Sequence, residues 1–266
     1  MQSTDRLIKA LDQSGILRVE LNDDARRNAL SEAMLLDLKA AFADAAENPS
    51  VRVVILAANG KVFCAGHDLK EMTAGRQTED RGRAYFSKIM TLCSSVMQSI
   101  VNCPKPVIAE VNGIATAAGC QLVASCDLAV ASTAARFGTP GVHIGLFCST
   151  PMVALSRNVS NKHAMEMLLT GDMISAERAE QTGLVNQVVD AADLKAATHA
   201  MAAKIASKSS MTLATGKAAF YAQREMSLAD AYEYASQVMV DNMLKQDAEE
   251  GIAAFIDKRA PQWQDA

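Results

Sequence analysis

The segment VIAEVNGIATAAGCQ, residues 107–121, decides the fold of this 266-residue chain. A largely apolar, strand-like run breaks into a turn of small residues, and a helix-like pattern follows. Residues 53–69, VVILAANGKVFCAGHDL, repeat the arrangement, with the turn at residues 64–68. Strands that alternate with helices predict crossover connections and a largely parallel α/β sheet.

The pattern outside these segments predicts the other core elements. Residues 16–21 alternate like a half-buried strand, and Ser31 is placed to cap a helix that runs to about residue 47. Residues 72–82 are polar and poorly periodic, which indicates a loop. The remaining predictions for the first part of the chain are buried strands at 53–57, 107–111 and 128–131 and a long helix at 83–101.

The strand signal nearly stops after about residue 161, and helical patterns take over. The predicted helices cover residues 161–169, 175–181, 192–206, 211–221 and 228–244. The sequence therefore predicts two parts. Residues 1–195 form an α/β core, and residues 196–266 form a helical region.

Composition excludes several classes of function. Half of the residues are hydrophobic, and the net charge is −4, which argues against a general nucleic-acid or anionic-membrane surface. A local basic spot for a small polyanion remains compatible with this charge. The six cysteines form no Cys-x-x-Cys pair and are interpreted as buried apolar filler. We find no cluster with metal-ligand spacing and no dinucleotide-binding glycine fingerprint.

The first residues of the chain bear on the cellular compartment in which the protein is expected. Residues 1–6 have no apolar signal region, and Asp5 and Asp12 are unlike a transit peptide. No apolar run is long enough to span a membrane. We therefore expect a cytoplasmic protein, or a mitochondrial matrix protein if a transit sequence has been removed.

The two small-residue turns suggest one chemistry. Small residues expose backbone N–H groups and let another molecule approach closely. Two such turns that face each other would aim two N–H donors at one oxygen atom that gains negative charge. The pair of turns thus predicts an oxyanion hole.

The same stretches resemble the signatures of the enoyl-CoA hydratase/isomerase (crotonase) superfamily. The resemblance implies a spiral of ββα units, with a C-terminal helical region that drives a homotrimer or a dimer of trimers. It also implies an acyl-CoA thioester as substrate, coenzyme A being part of that substrate and no cofactor being permanently bound. It assigns the two oxyanion donors to the backbone N–H groups of His67 and Ala118. The similar segments are residues 28–30, 65–68, 106–109, 112–113, 137–140, 169–171, 183–185 and 250–259.

The acid–base positions of the superfamily carry no carboxylate in this sequence. The resemblance places the two catalytic glutamates of hydratases at Gln121 and Gly141, and an isomerase aspartate at Ser149. Glutamine cannot titrate, and glycine has no side chain. His143 is a candidate acid or base, because on a strand its side chain would share a face with residue 141. Cys148 is a candidate nucleophile, although buried filler is the alternative for it.

The His67 side chain has two interpretations. Only its N–H is required for the hole, but superfamily members with decarboxylating activity carry the same Ala-Gly-His-Asp turn. The imidazole therefore stays a candidate proton donor or acceptor.

Coenzyme A carries phosphates and favours arginine and lysine contacts. The resemblance predicts two parts of a cradle for it, one beside the first turn and one in the C-terminal tail. For Lys258 a solvated helix end is an equal alternative. The predicted cradle residues are Arg26, Arg27, Ala29, Ala65, Asp68, Leu69, Phe255 and Lys258.

Three functions remain open at this point. The first is an acyl-CoA lyase of the hydratase/isomerase family, with weak or atypical activity. The second is decarboxylation of a malonyl-type thioester, in which the leaving carboxylate supplies the electrons. The third is an acyl-CoA binding or regulatory protein that has lost catalysis.

Overall fold

The computed structural model describes residues 6–266, so the expectation for the first residues of the chain lies almost wholly outside it. Two β-sheets lie at its centre. The larger has the strand order β1-β2-β3-β5-β7-β10, and the smaller has the order β4-β6-β8-β9. The strands are β1 Leu7–Leu11, β2 Ile16–Leu21, β3 Val53–Ala58, β4 Val62–Cys64, β5 Val107–Val111, β6 Ile114–Thr116, β7 Leu128–Ser132, β8 Arg136–Gly138, β9 Ile174–Ser175 and β10 Gln187–Val189.

Successive strands alternate between the two sheets. Strands β3, β5 and β7 join the larger sheet, and β4, β6 and β8 join the smaller one. The pairs β3–β5, β5–β7, β4–β6 and β6–β8 are all parallel. The chain therefore winds as a spiral of ββα units, which confirms the α/β architecture expected from the sequence.

Eleven helices accompany these strands in the described part of the chain. Most of the helices predicted from periodicity are confirmed within two residues at each end. They are α1 Glu32–Glu47, α2 Leu69–Gly75, α3 Arg83–Val101, α4 Ala118–Ser125, α5 Pro151–Leu155, α6 Asn161–Thr170, α7 Ala176–Thr182, α8 Leu194–Ala206, α9 Ser210–Gln223, α10 Leu228–Met243 and α11 Gln246–Ile256.

Capping and apolar spacing explain the first helix. The Ser31 hydroxyl accepts a hydrogen bond from the backbone N–H of Met34, which satisfies one of the free donors at the helix start. Leu35, Leu38 and Phe42 recur at helical spacing and are fully buried. The predicted helix with its predicted cap is therefore confirmed.

The core lies on both faces of the larger sheet. Strand β3 is buried along its whole length, as expected for a parallel strand covered on both sides. One face packs with α1, α3 and α4, and the other face packs with α8, whose Leu194, Ala202 and Ala206 contact the sheet. All six cysteines are buried free thiols, which confirms their role as apolar filler.

The last helices differ from the core. Helices α9 and α10 contain no buried residue, although α10 carries several large apolar side chains that are exposed. The chain after α11 folds back onto that helix, because buried Asp247 accepts hydrogen bonds from the backbone N–H groups of Gln264 and Asp265. Trp263 donates its indole N–H to the Ser207 carbonyl, so it packs the tail. Among the described residues, no helix is both long and apolar enough to cross a membrane.

Two local predictions are wrong. Residues 72–75 belong to helix α2 rather than to a loop, because the Asp68 carboxylate caps that helix by accepting from the N–H groups of Lys70 and Glu71. His143 lies in a short 3-10 helix, Pro140–Ile144, and not on a strand. The pattern also gave no signal for β9 and β10, which have two and three residues and are too short to show an alternation.

Candidate active site

The two small-residue turns lie against each other. Strands β4 and β6 are parallel neighbours, so the turns that follow them leave the sheet at the same edge. Gly66 has a φ of +84°, and a methyl group placed on it would lie 3.0 Å from the Ala117 Cβ and 3.2 Å from the Ala118 nitrogen. Only glycine fits this contact without strain. The sequence prediction that the turns face each other agrees with this geometry.

The candidate donors are free at this junction. Ala118 is the first residue of α4, where a helix leaves its N–H without an internal partner. Neither the His67 N–H nor the Ala118 N–H donates a backbone hydrogen bond in residues 6–266. The unusual backbone falls on Ala117, with φ 52° and ψ −119°, while Ala118 is helical. The junction can therefore present two N–H groups to one oxygen atom.

The His67 ring is enclosed beside these donors. Both ring nitrogens are buried and have no hydrogen-bond partner within the described chain. Burial lowers the pKa of His67 below its usual 6.5, and the nearby Leu30 backbone opposes this only in part. At neutral pH the ring is therefore an uncharged imidazole, with one N–H donor and one acceptor.

Two further side chains at the junction have an unsatisfied polar atom. The Gln121 side chain is 5% exposed, and its Oε1 has no hydrogen-bond partner in residues 6–266. The same holds for Thr116 Oγ1, at the end of β6. Thr116 was part of the quoted turn, but the sequence gave no signal for its role. Buried polar atoms without a partner indicate a place for a ligand or water.

The second position that the resemblance assigns to a glutamate has no room for a side chain. Gly141 is buried in the 3-10 helix Pro140–Ile144, and a Cβ there would lie 2.8 Å from the Leu146 carbonyl oxygen and 2.9 Å from Cys148 Sγ. His143, two residues later, is exposed. Because this segment is a 3-10 helix, residues 141 and 143 do not share a face as they would on a strand. The basis of the prediction that His143 is an acid or base is therefore wrong.

The cysteines near the junction are not activated. Burial raises the pKa of Cys64 and of Cys120 to about 12 and also raises that of Cys148. A buried thiol in apolar surroundings stays protonated and unreactive at neutral pH. For Cys148 the structure therefore favours filler over a nucleophile.

The Glu110 carboxylate is held by an ion pair. Arg18 donates to it through two nitrogens at 2.7 and 3.0 Å, so Glu110 points away from the turns.

The cradle residues near the first turn form one connected group. The Leu30 N–H donates to the Gly66 carbonyl, and the Ala65 N–H donates to the Arg27 carbonyl, so residues 27–30 run alongside the turn. Arg27 has a φ of +56° and is exposed, whereas Ala29 is buried. The structure therefore brings Arg26, Arg27, Ala29, Ala65, Asp68 and Leu69 together.

The charge in this group is partly neutralised. The Arg26 guanidinium lies 3.3 Å from the Asp68 carboxylate and 3.6 Å from that of Glu71. Its side chain is 56% exposed, and Leu69 is also exposed. A phosphate at this rim would meet an arginine that already has carboxylate partners.

The two tail residues of the cradle lie apart from this group in a single chain. Phe255, near the end of α11, is 85% exposed, and Lys258 is exposed with a φ of +56°. Neither side chain is packed onto the first turn. A single chain thus presents the predicted cradle in two separate parts.

Comparison with known proteins agrees with this architecture. The model of the enoyl-CoA hydratase/isomerase family matches residues 12–266. The chain belongs to this family. Family members act on coenzyme A thioesters without a permanently bound cofactor. The described residues contain no group of three side chains that could hold a metal ion.

Relatives in this family cover nearly the whole chain. A mouse protein, "Enoyl-CoA hydratase domain-containing protein 3, mitochondrial", is 51% identical over 98% of this chain and 86% of its own length. The solved structure of the human protein of that name is 48% identical, with a TM-score of 0.91 over 97% of this chain and 100% of that one. The structure of enoyl-CoA hydratase from Mycobacterium smegmatis is 51% identical, with a TM-score of 0.93 over 98% of this chain and 99% of that one.

One cavity in this family member includes Gln121 in its wall. It has a volume of about 660 Å³ and lies between helices α3, α4, α5 and α9. Gln121, Ala124 and Ser125 form its wall on α4, one and two helical turns beyond Ala118. Its size is typical of ligand pockets.

Proposed function

We propose that this protein binds acyl-CoA thioesters and stabilises their enolate form in an oxyanion hole. The two donors of the proposed hole are the backbone N–H groups of His67 and Ala118. One observation carries the proposal: two turns in contact, each with a free N–H, at the start of helix α4. The family membership supplies the coenzyme A thioester as the ligand class.

The hole acts on the thioester carbonyl. The carbon next to the carbonyl can lose a proton, or it can lose a carboxylate as carbon dioxide. In both cases the electron pair left behind moves onto the carbonyl oxygen. Each pre-aimed N–H donor stabilises that oxygen by about 3 kcal/mol in known examples. The positive end of the α4 dipole adds to the effect.

Hydration through this site is expected to be slow. A positioned acid or base contributes roughly 10²–10⁴-fold, and neither Gln121 nor Gly141 can supply one. Gln121 can order a water molecule through its free Oε1. The neutral His67 ring at the junction can accept or donate a proton.

Crotonyl-CoA hydration by the purified protein tests this assignment. Loss of the enoyl absorbance measures turnover, and calorimetry with butyryl-CoA measures binding in the same preparation. We expect binding with turnover at least 10²-fold below that of a hydratase with both glutamates, assayed in parallel. A hydratase-like rate would contradict the role given to the empty positions, and absence of binding would overturn the proposed function.

Decarboxylation of a malonyl-type thioester is the second candidate. In this reaction the bond between the α-carbon and its carboxylate breaks, carbon dioxide leaves, and the electron pair forms the enolate. A proton from water then ends on the α-carbon, and the neutral His67 ring can relay it by accepting one proton as it donates another, so no strong base is needed. The neutral, enclosed His67 ring favours this candidate. Release of labelled carbon dioxide from malonyl-CoA or methylmalonyl-CoA measures this decarboxylation. If the protein binds both thioesters without turnover, it is instead an acyl-CoA binding or regulatory protein that has lost catalysis.

We also propose a homotrimer or a dimer of trimers, assembled through residues 196–266. Helix α10 buries nothing in a single chain, yet Tyr232, Met239, Val240 and Met243 on it are 47–70% exposed. A second copy that covers this face would also bring its Phe255 and Lys258 into reach of a neighbouring cradle. Sedimentation of the purified protein measures the assembly, and a monomer would contradict it.

The location stays a prediction. Vertebrate relatives carry names that say mitochondrial, which favours the matrix for this protein over the cytoplasm. Fractionation of the source cells, with the chain detected by antibody, decides between these two compartments.

A further inference from the structure

The cavity beyond Gln121 has a defined near end and far end. At the near end Gln121, one turn along α4 from Ala118, contributes a buried Oε1 without a partner. From there the wall continues along Ala124 to the segment that follows α5, where Asn158 donates to the carbonyls of Ala124 and Ala154 at 2.7 and 2.8 Å. None of the residues around the first turn lines this space. Since Gln121 lies one helical turn from Ala118, an acyl chain that leaves the proposed hole along α4 would enter this space past Gln121.

Most polar groups along the cavity are already satisfied. The Lys217 ammonium donates to the Asp127 carboxylate at 2.6 Å and to the carbonyls of Ile100 and Lys105. The Tyr221 hydroxyl donates to the same carboxylate at 2.9 Å. This cluster carries no free charge, because Lys217 and Asp127 neutralise each other. The middle of the cavity accordingly suits an apolar chain.

The far end carries an excess of positive charge. Arg157 and Arg224 both line the cavity, together with the single carboxylate of Glu225. Arg157 lies 3.3 Å from Glu225, and its side chain is 49% exposed. Arg224 donates a hydrogen bond from one guanidinium N–H to the Arg157 carbonyl oxygen and has no carboxylate within 4 Å in residues 6–266. Two guanidinium groups thus meet one carboxylate.

We propose that this cavity selects acyl chains that end in a carboxylate, that is, the coenzyme A thioesters of dicarboxylic acids. This inference rests on the proposed function, because it places the thioester at the oxyanion hole and the chain along α4. Arginine forms charge-assisted hydrogen bonds with carboxylates in a geometry that lysine does not match. An uncharged chain end would reach the same arginines and gain nothing from them.

Calorimetric titration with three saturated ligands tests the proposal: coenzyme A, octanoyl-CoA and its ω-carboxy counterpart, suberoyl-CoA. The two thioesters have eight-carbon chains and differ in the terminal carboxylate. At an exposed rim we expect suberoyl-CoA to bind about fivefold more tightly than octanoyl-CoA, a modest gain typical of partly screened ion pairs. Raising the salt concentration should reduce this ratio.

Two variants should move the ratio in opposite directions. Arg224→Gln should abolish the preference for suberoyl-CoA and leave coenzyme A and octanoyl-CoA binding within about twofold. Glu225→Gln removes the competing carboxylate and should increase the preference. Arg178→Gln is the matched control, because Arg178 is also a surface arginine with one loose carboxylate partner, Glu166 at 3.8 Å, but does not line the cavity.

The outcomes separate this inference from the function beneath it. Equal binding of the two thioesters overturns the inference and leaves the proposed function intact. An Arg224→Gln variant that weakens coenzyme A itself also overturns it, since the arginine would then serve the phosphates. Failure of every thioester to bind would overturn the proposed function and the inference together.

Discussion

In the proposed site, the N-terminal end of helix α4 and its flank contribute by different means. At its N-terminal end the backbone is the working part: Ala118 offers an N–H group, and Gly66 is needed because the turns touch. Along its flank the side chains are the working part, with Gln121 facing a cavity that Lys217 and Tyr221 help to line. A side-chain function can be lost in one substitution, whereas a backbone donor survives every residue type except proline. In the proposed site, this difference accounts for two turns that are kept while the two positions that the resemblance assigns to glutamates, Gln121 and Gly141, carry no carboxylate.

The polar cluster on the flank should give the largest change in stability. Asp127→Ala leaves the Lys217 ammonium, which is only 8% exposed, without its carboxylate, and the free energy of unfolding should fall by about 3–5 kcal/mol. Urea unfolding measures the loss. Asp127→Ala combined with Lys217→Met should recover part of it, because no charge is then left buried. Equal stability of the single and double variants would show that the charge is not what matters.

The N-terminal end should show its effect in chemistry instead. Ala118→Pro removes one donor of the proposed hole at the first helical position, where proline is tolerated. Any thioester turnover should fall by roughly 10²–10³-fold. The carbonyl stretch of bound crotonyl-CoA, measured by difference Raman spectroscopy, should also lose its shift to lower frequency. Ala118→Ser keeps the N–H and is the control; a similar loss in both variants would contradict a backbone role.

Restoring one carboxylate tests the flank again. Gln121→Glu should raise crotonyl-CoA hydration by about tenfold to 10²-fold, since it supplies one of the two groups that hydratases use. Gly141→Glu is a poor second step, because its Cβ would overlap the Leu146 carbonyl oxygen. Gln121→Met controls for loss of the amide. An unchanged rate in the glutamate variant would indicate a cavity shaped for another reaction.

His67 lies at the junction of the two sides and should give the smallest effect. Its folded pKa lies below its unfolded value near 6.5, so stability is complete above pH 6.5 and declines as the pH falls below it. The slope can reach about 1.4 kcal/mol per pH unit for one proton. Urea unfolding at pH 7.5 and 5.5 should show a larger decline for the native chain than for His67→Gln. If the free energy of unfolding fell equally in the native chain and in His67→Gln, a group other than His67 would be responsible for the pH dependence.

The sequence predicted most of the helices and central strands because their signals are local, whereas the spiral arrangement was predicted from the family resemblance. The cap at Ser31, the buried run of β3 and the apolar face of α1 can all be found in short windows. The 3-10 helix at Gly141 could not be predicted from a short window of sequence. The close packing of Leu146 and Cys148 around Gly141 is set by contacts further along the chain. Helix α2 was missed for a related reason: its start depends on the Asp68 cap rather than on periodicity.

The site divides in the same way. The two turns could be found from small residues after apolar runs, and the first-turn cradle residues do lie together. The unsatisfied Thr116 hydroxyl and the paired arginines of the cavity could not be found. Arg157 and Arg224 are 67 positions apart, and only tertiary packing makes them neighbours.

The backbone at Ala117 has a thermodynamic consequence. Its φ of 52° and ψ of −119° are sparsely populated by any residue other than glycine and cost about 1–3 kcal/mol. This free-energy cost arises when the chain folds. The direction of the Ala118 N–H is therefore fixed before any thioester binds. A preorganised donor needs no reorientation as charge develops on the oxygen it serves. In the proposed hole, the backbone at Ala117 thus uses a small part of the folding free energy to fix the direction of the Ala118 N–H before a ligand binds.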